Sequence, residues 1–469
     1  MIHEISRFKN LAKIKNGHYT LHIMGVIQII TPKSSVLAEE PLSRTKQVIS
    51  AKDFAAEAHV PIQVYHNNGV VGYSKITAQN FAYESDTTAF LRKIDTLWLY
   101  GKWNNLSLPG WNGYIERLSS NSMDFSISRI LFLPFIPQPA SVYNTIYTTL
   151  LCALENAKRY GHDVCIVTFD QPLYTEAREI VAAAPDGSDL SKIVIRLGGF
   201  NLLSSFSGAV GYIMQGNGIK EVLSLIYVPN SLGKMLTGHA YVRAVRVHTL
   251  LHLTLATIIS RELLIDDYMD ANLQNTIEDV KNNTISYNDI ENCDEKTEAL
   301  LYQCNKKLKQ YVGRGSTGKL WIQYFHMVSI AKEFIRAERM GGWRAHLNCV
   351  KEMIPYFHAP GHFPYAKSTY LYLQDMLQLK NLIDPSVFRT FIQGFLTVRH
   401  SAKFNYGTST DMITEKSLMK SMQTDGVNWF GRLVVKGVGS GVRALSILCP
   451  SKTDEVTLVV IGIGGSGWR

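Results

Sequence analysis

Apolar and polar residues follow a strand-like pattern in the middle of the chain. Two apolar runs, 96–102 (TLWLYGK) and 130–136 (ILFLPFI), have the length and composition of buried strands. Two more, 164–169 and 192–197, alternate with segments of helical period. Strands and helices that alternate over short connections are typical of a sheet covered by helices. The pattern over residues 91–235 therefore predicts an α/β unit.

A helical period dominates the second half of the chain. Apolar residues recur every three to four positions there, as on one face of a helix. The predicted helices lie at 240–263, 296–312, 320–339, 343–356, 369–379 and 385–397. Upstream, the same period predicts helices at 140–160 and 174–183. The segment 266–298 is rich in Asp, Glu, Asn and Ser, which predicts a solvated loop.

The composition is that of a globular protein. The 469 residues are 46% hydrophobic and 19% charged, and their number predicts more than one structural unit. Six scattered cysteines favour reduced thiols and an intracellular location, nuclear or cytoplasmic. The apolar stretch 249–259 contains His252 and is shorter than the roughly 20 residues of a membrane span, so we expect no membrane anchor.

Positive charge suggests a polyanionic partner. The formal net charge is +9, although such a surplus also occurs in proteins that bind no nucleic acid. Lysine and arginine attract the phosphate backbone whatever the base sequence. The candidate nucleic-acid-binding residues fall in one stretch: Lys306, Lys307, Lys309, Arg314, Lys319, Arg336 and Arg339.

Asp170 is the candidate for chemistry. It closes the apolar strand of VTFDQPLY, and side chains at the carboxyl ends of strands project from a rigid sheet toward ligands. The alternative is that Asp170 caps the helix that follows. His346, Cys349, His358 and His362 could suit zinc but match no standard zinc spacing, and we interpret the histidines as residues of helix faces and loops.

Several motifs occur in the order in which they are found in a family of uncharacterised animal proteins that resemble transposon products. They are FLPFI (132–136), VTFDQPLY (167–174), IRLGGFN (195–201), GKLWIQY (318–324), YAKSTYLYLQDM (365–376) and STDMITEKSLMKSM (409–422). The resemblance covers about residues 95–424. The arrangement around Asp170 also resembles the RNase H-like core of Mutator-type DDE transposases.

The resemblance implies a metal-dependent DNA-cleaving site. Asp170 would be its second acid, and Asp411 or Glu415, four residues apart and so on one helix face, would supply the third. In such a core the acids hold Mg²⁺, here through Asp170 and Glu415, and DNA is the substrate. The first acid should lie within the strand at 96–102, but only Asp95 is near. The family usually has His where this chain has Asn201, so the activity of this copy stays open.

These expectations divide the chain into five parts. They are a poorly specified region at 1–90, an RNase H-like mixed-sheet core at 91–235, a large helical insertion at 236–404, a returning helix at 405–425 and a divergent tail at 426–469. The predicted fold class is α/β. The predicted function is ancestral metal-dependent DNA strand cleavage or transfer, and the alternative is a non-enzymatic module that binds nucleic acid or protein.

Overall fold

The computed structural model describes residues 12–15, 18–21, 24–32, 59–66, 76–77, 91–120, 127–134, 136, 138–401, 403–414 and 456–464. The helices are α1 Lys93–Trp103, α2 Trp111–Leu118, α3 Tyr143–Arg159, α4 Gln171–Ala182, α5 Gly199–Ile213, α6 Ile219–Ser224, α7 Pro229–Leu236, α8 Tyr241–Ser260, α9 Asp267–Lys281, α10 Tyr287–Cys293, α11 Glu295–Val312, α12 Ser316–Met340, α13 Trp343–His358, α14 Phe363–Leu377, α15 Leu379–Leu382, α16 Pro385–Thr390 and α17 Thr410–Thr414. The strands are β1 Ala12–Lys15, β2 His18–Leu21, β3 Met24–Pro32, β4 Arg129–Phe132, β5 Cys165–Phe169, β6 Ile193–Leu197, β7 Val398–Arg399, β8 Gly407–Thr408 and β9 Val456–Gly464.

Five of the described strands form one mixed sheet in the order β4-β3-β9-β5-β6, and the other four form two small antiparallel pairs. β1–β2, β3–β4 and β7–β8 are antiparallel pairs, whereas β5 and β6 run parallel in a register that places Phe169 beside Leu197. β9 lies between β3, to which it is antiparallel, and β5, to which it is parallel. Since β5 and β6 run in the same direction, both end at the same edge.

The predicted α/β class with an RNase H-like mixed-sheet core is wrong. About two thirds of the structure is helical, and the fold is mostly helical. The segment 96–102, predicted as the opening strand of that core, lies inside helix α1. Its apolar residues are buried on every side of the helix, so the sequence shows no alternation between an apolar and a polar face. Such a segment has the same pattern as the apolar run of a buried strand.

A buried carboxylate on α1 connects that helix to α2 and α12. Asp95, on the first turn of α1, accepts a hydrogen bond from Trp111 Nε1 at 2.8 Å. Its other contacts come from α12, where Lys332 Nζ lies 3.2 Å and Arg336 Nη1 3.3 Å from its oxygens. Lys332 also lies over the ring of Trp98, at 5.1 Å from its centroid. We call these five residues the Asp95 cluster; it joins α1, α2 and α12.

Each charge in the Asp95 cluster depends on the others, because burial disfavours an isolated charge. Burial alone would raise the pKa of Asp95, but Lys332, Arg336 and the hydrogen bond from Trp111 hold it well below its ordinary value. Burial lowers the pKa of Lys332, and Asp95 opposes that shift. Arg336 also pairs with Glu333, which in turn binds Arg92 at 2.8 Å.

The hydrophobic core continues from the strands into the long helices. One cluster of buried apolar side chains includes Val167 of β5, Phe206 of α5, Phe334 of α12 and Tyr372 of α14. Residues on both sides of position 236, the predicted boundary between core and insertion, thus contribute to the same core. The domain division itself stays a prediction.

Most helices predicted from the apolar period are confirmed, but the acidic segment is not a loop. Residues 266–298 form α9, α10 and the start of α11. Asp266 caps α9 by accepting from Met269 N, and Ser286 and Asp289 cap α10 reciprocally. The acids that suggested a solvated loop therefore stabilise helix starts, where negative charge is favoured.

Helix α8 is the described helix that is long and apolar enough to cross a membrane by length and composition. Its inner face is buried, and it carries polar bonds to α12. His248 Nδ1 and Tyr324 Oη are 2.9 Å apart, and His252 Nε2 lies 3.0 Å from Ser329 Oγ. Burial lowers the pKa of His248 to about 4 and that of His252 well below its ordinary value, so both imidazoles are neutral at pH 7.

We expect Asp95→Asn to lower the free energy of unfolding by about 3 kcal/mol or more, because it leaves the buried cations Lys332 and Arg336 without their counter-charge. Urea denaturation followed by circular dichroism measures the change. The control is Glu155→Gln, which breaks an exposed pair with Arg159 on α3 and should cost about 0.5 kcal/mol. Equal losses in the two variants would contradict the role given to the Asp95 cluster.

Candidate functional site

The carboxyl ends of β5 and β6 lie side by side and bring together chain segments that are distant in sequence. Gly198 N, just after β6, donates a hydrogen bond to the carbonyl of Phe169, the last residue of β5, at 2.8 Å. Asp170 follows β5 and precedes α4, and Gly198 precedes α5. Two helices therefore begin at this edge.

Asp170 stands where the sequence predicts it, at the end of β5. It occupies the N-terminal cap position of α4, where its backbone carbonyl accepts from Tyr174 N and its side chain makes no capping hydrogen bond. Burial raises the pKa of Tyr365 and of Glu176, and the negative charge of Asp170 raises both further. The Asp170 carboxylate is therefore near enough for its charge to act on Tyr365 of α14 and on Glu176.

Asp411, one of the two candidates for the third acid, caps α5 from a distant segment. Its Oδ1 accepts from Phe200 N and its Oδ2 from Asn201 N, each at 3.0 Å. Burial raises the pKa of Asp411 to about 6, the two backbone N–H groups oppose the shift, and the charge of Glu338 adds to it. Asp411 therefore occupies the positive end of a helix in full burial.

Two consecutive glycines make this approach possible. A Cβ atom at Gly198 would lie 2.3 Å from Asp411 Oδ2, and one at Gly199 would lie 2.9 Å from Glu338 Oε2. Neither separation is tolerable between unbonded atoms. The GG of the IRLGGFN motif thus admits two buried carboxylates to the start of α5.

Glu338 of α12 is held by a histidine. His346 Nδ1 of α13 lies 2.7 Å from Glu338 Oε1, and His346 Nε2 lies 3.0 Å from Tyr372 Oη. Burial would raise the pKa of Glu338, but the hydrogen bond and charge of His346 lower it below its ordinary value. The Trp343 ring stacks on His346 with an interplanar angle of 8°. His346 is therefore a partner of Glu338 in the interior.

We call Asp170, Glu338, Tyr365 and Asp411 the strand-end cluster. Burial is the main cause of the raised pKa of Tyr365, and the negative charges of Asp170 and Asp411 both raise it further. Tyr365 is therefore the residue on which both predicted acids act. Glu415 lies outside the described residues. Asp95, the nearest acid to the predicted first position, belongs to the Asp95 cluster instead.

The described part of the strand-end cluster does not fit Mg²⁺. Magnesium needs carboxylate oxygens that face an open, hydrated position. Both oxygens of Asp411 already accept backbone hydrogen bonds in a fully buried position. Within the described ranges, no group of three or more His, Cys, Asp and Glu side chains could hold a metal ion. We therefore derive no metal-dependent step from these residues.

The basic residues predicted to bind nucleic acid fall into two groups. Lys306, Lys309, Arg314 and Lys319 are exposed around the turn between α11 and α12, and we call them the basic junction. Lys307 is half-buried and pairs with Glu262 at 3.0 Å.

The other two predicted cations lie further along α12. Arg336 is 2% exposed and pairs with Asp95, so its position does not fit the predicted contact with DNA. Arg339 is half-buried near Tyr241. Burial raises the pKa of Tyr241, and the positive charge of Arg339 opposes part of that shift.

Sequence reasoning missed the α12–α14 side of the strand-end cluster. Tyr365 and Tyr372 stand inside the YAKSTYLYLQDM motif, but the motif gave them no role. The local sequence did not indicate that Glu338 is buried, because an acid between the cations of α12 resembles an exposed residue that balances their charge. The only hint was its histidine partner, since His346 is a polar residue on an otherwise apolar helix face.

The chain belongs to a family described as a domain of unknown function, DUF8702, whose model matches residues 110–446. That range contains Asp170, Glu338, Asp411 and the basic junction. No curated protein and no solved structure matches the chain. The resemblance to transposon-derived proteins stays a prediction.

The buried carboxyl of Asp411 should make stability depend on pH. Its pKa in the folded protein, about 6, lies above its value in the unfolded chain, near 3.8. The stabilisation is therefore complete below about pH 4 and is lost as the pH rises through 6. We expect the difference in free energy of unfolding, wild type minus Asp411→Asn, to fall by about 2 kcal/mol between pH 4.5 and pH 7.5.

Urea denaturation of both proteins at the two pH values measures this difference. Gly198→Ala provides a second test of the same geometry, because its methyl group would displace the Asp411 carboxylate, and it should lower stability at both pH values. An unchanged difference between wild type and Asp411→Asn across the range would show that Asp411 is not the titrating group.

Proposed function

We propose that this protein is a non-catalytic module that binds DNA through the phosphate backbone at the basic junction. The observation that supports it is the exposure of Lys306, Lys309, Arg314 and Lys319 around one turn. Lysine and arginine side chains in this arrangement neutralise phosphates and release counterions irrespective of base sequence.

The turn between α11 and α12 sets the spacing of these cations. Lys306 and Lys309, three positions apart, project from one side of the last turns of α11. Gly315 has a φ of 127°, which lets the chain reverse into α12, and Lys319 lies on the first turn of that helix. Four cations thus gather within 14 residues of sequence.

Glu262 lies against the basic junction and is already engaged. Glu262 accepts from Tyr311 Oη and pairs with Lys307 and Arg314 at 3.0 Å each; these bonds, that of Tyr311 first, lower its pKa to about 2. Across the described ranges, no ion pair engages Lys306, Lys309 or Lys319. These three lysines therefore keep their charge for a partner.

Binding without cleavage agrees better with the interior than the predicted nuclease does. Two carboxylates of the strand-end cluster are already committed, that of Asp411 to backbone donors and that of Glu338 to His346, which leaves both unsuited to gather magnesium. The predicted strand cleavage has no described ligand set to act through. A protein partner, the other alternative, would need an acidic surface to match the junction.

We expect the triple variant Lys306→Glu/Lys309→Glu/Lys319→Glu to bind duplex DNA at least about tenfold more weakly than wild type and to reduce the salt dependence of binding by about 2 to 3 in slope, since three phosphate contacts are lost. Fluorescence anisotropy with a labelled duplex at several salt concentrations measures both quantities. A duplex of unrelated sequence should give the same result.

The matched control is Lys220→Glu/Lys234→Glu/Lys380→Glu, which makes the same charge change at exposed lysines on α6, α7 and α15. It should retain most of the wild-type affinity. If both triple variants lose affinity equally, only net charge matters and the basic junction is not the binding surface. If neither changes, the protein does not bind DNA through these lysines.

A further inference from the structure

Helix α11 carries an exposed tyrosine on the same side as two lysines of the basic junction. Tyr302 is 68% exposed, and Lys306 and Lys309 follow it by four and seven positions. At 3.6 residues per turn, the three residues fall within about 60° of one another around the helix axis. Tyr302 precedes the first lysine by about 6 Å and the second by about 10 Å along that axis. The three side chains therefore lie in one line, which we call the α11 track.

The two tyrosines of α11 differ in what already contacts them. Tyr311 Oη donates to Glu262, and the guanidinium of Arg314 lies over the Tyr311 ring, at 4.0 Å from its centroid. Within the part of the chain that the structure describes, neither a hydrogen bond nor a ring contact engages Tyr302. Tyr302 is therefore the tyrosine of α11 whose ring face is open to a ligand.

The charge along this side of α11 changes sign at Tyr302. Glu295 and Glu298 precede the ring on the same side of the helix, and Glu298 pairs with Lys93 at 2.9 Å. The two lysines of the α11 track follow it. A polyanion is repelled by the acidic start of the helix and attracted by its basic end. A nucleic acid that follows the lysines therefore ends its contact with α11 beside the ring.

The combination of a ring and two lysines selects among forms of DNA. In a duplex the faces of the bases are covered by their neighbours, and a side chain gains access to them only by unstacking the bases, which costs free energy. In a single strand these faces are accessible. Proteins that bind single strands combine a basic track for the phosphates with exposed aromatic rings on which bases stack.

We infer that the basic junction binds single-stranded DNA in preference to duplex, with one base stacked on the ring of Tyr302 and the adjoining phosphates bound by Lys306 and Lys309. The inference rests on the proposed function, because the same lysines supply the electrostatic attraction. It adds the form of DNA that is bound and a residue that contacts a base. The stacking is tolerant of sequence, since every base has a π face.

Fluorescence anisotropy with a labelled oligo(dT) and with a duplex of equal length, at the same salt concentration, tests the inference. Wild type should bind oligo(dT) more tightly than the duplex. Tyr302→Ala should weaken the binding of oligo(dT) about tenfold, because one stacked base is lost, and should leave the affinity for the duplex unchanged. Tyr302→Trp should retain the wild-type affinity for oligo(dT), because indole stacks on bases as well.

The matched control is Tyr212→Ala, which removes an exposed tyrosine at the end of α5, a helix that carries no residue of the basic junction. It should bind both forms of DNA like wild type. Equal weakening of oligo(dT) binding by Tyr212→Ala and Tyr302→Ala would overturn the inference. An equal loss of oligo(dT) and duplex binding in Tyr302→Ala would do the same.

The triple lysine variant separates this inference from the proposed function. If that variant weakens the binding of both forms and Tyr302→Ala weakens neither, the basic junction binds DNA but stacking on Tyr302 is wrong. If wild type binds neither form, the proposed function fails and the inference fails with it. Binding of oligo(U) without binding of oligo(dT), or a wild-type dimer that Tyr302→Ala dissociates in light scattering, would also overturn the inference.

Discussion

The buried charge of Asp95 is the constraint on which the arrangement of helices depends. A carboxylate in the interior must be paired, and its partners Lys332 and Arg336 lie on α12, more than 230 residues later in the sequence. That pairing fixes α1 beside the long central helix. Because α12 also carries Glu338 to the strand ends, the same helix that neutralises Asp95 positions one carboxylate of the strand-end cluster.

The strand-end cluster follows from a similar constraint. Asp411 is buried where the first N–H groups of α5 would otherwise have no partner, and Gly198 and Gly199 leave room for it and for Glu338. A carboxylate with such bonds completes a helix end and is fixed in place. This explains how acids can converge at the carboxyl ends of parallel strands, as the sequence predicts for Asp170 and Asp411, and still fail to offer a magnesium site among the described residues.

Local pattern predicted most of the elements, and long-range pairing decided the rest. The helix at 143–159 and the strands at 165–169 and 193–197 have clear periods and boundaries, so they were predictable. The run TLWLYGK failed because a helix buried on every side has no polar face, and its length and apolar composition match those of a buried strand. Asp95 stood one residue before that run, yet a partner hundreds of residues away leaves no local signal.

The predicted binding residues also differ in whether their position could be predicted: those at the surface could, and the buried one could not. Exposure of Lys306, Lys309 and Lys319 was predictable, because lysine is almost never fully buried unless it is paired. Arg336 could not be separated from them, since its burial depends on Asp95. Charge counts in a sequence therefore overstate a binding surface whenever part of the charge balances a buried acid. On α12 the cations that precede the core are available to a polyanion, whereas those inside it hold the helices together.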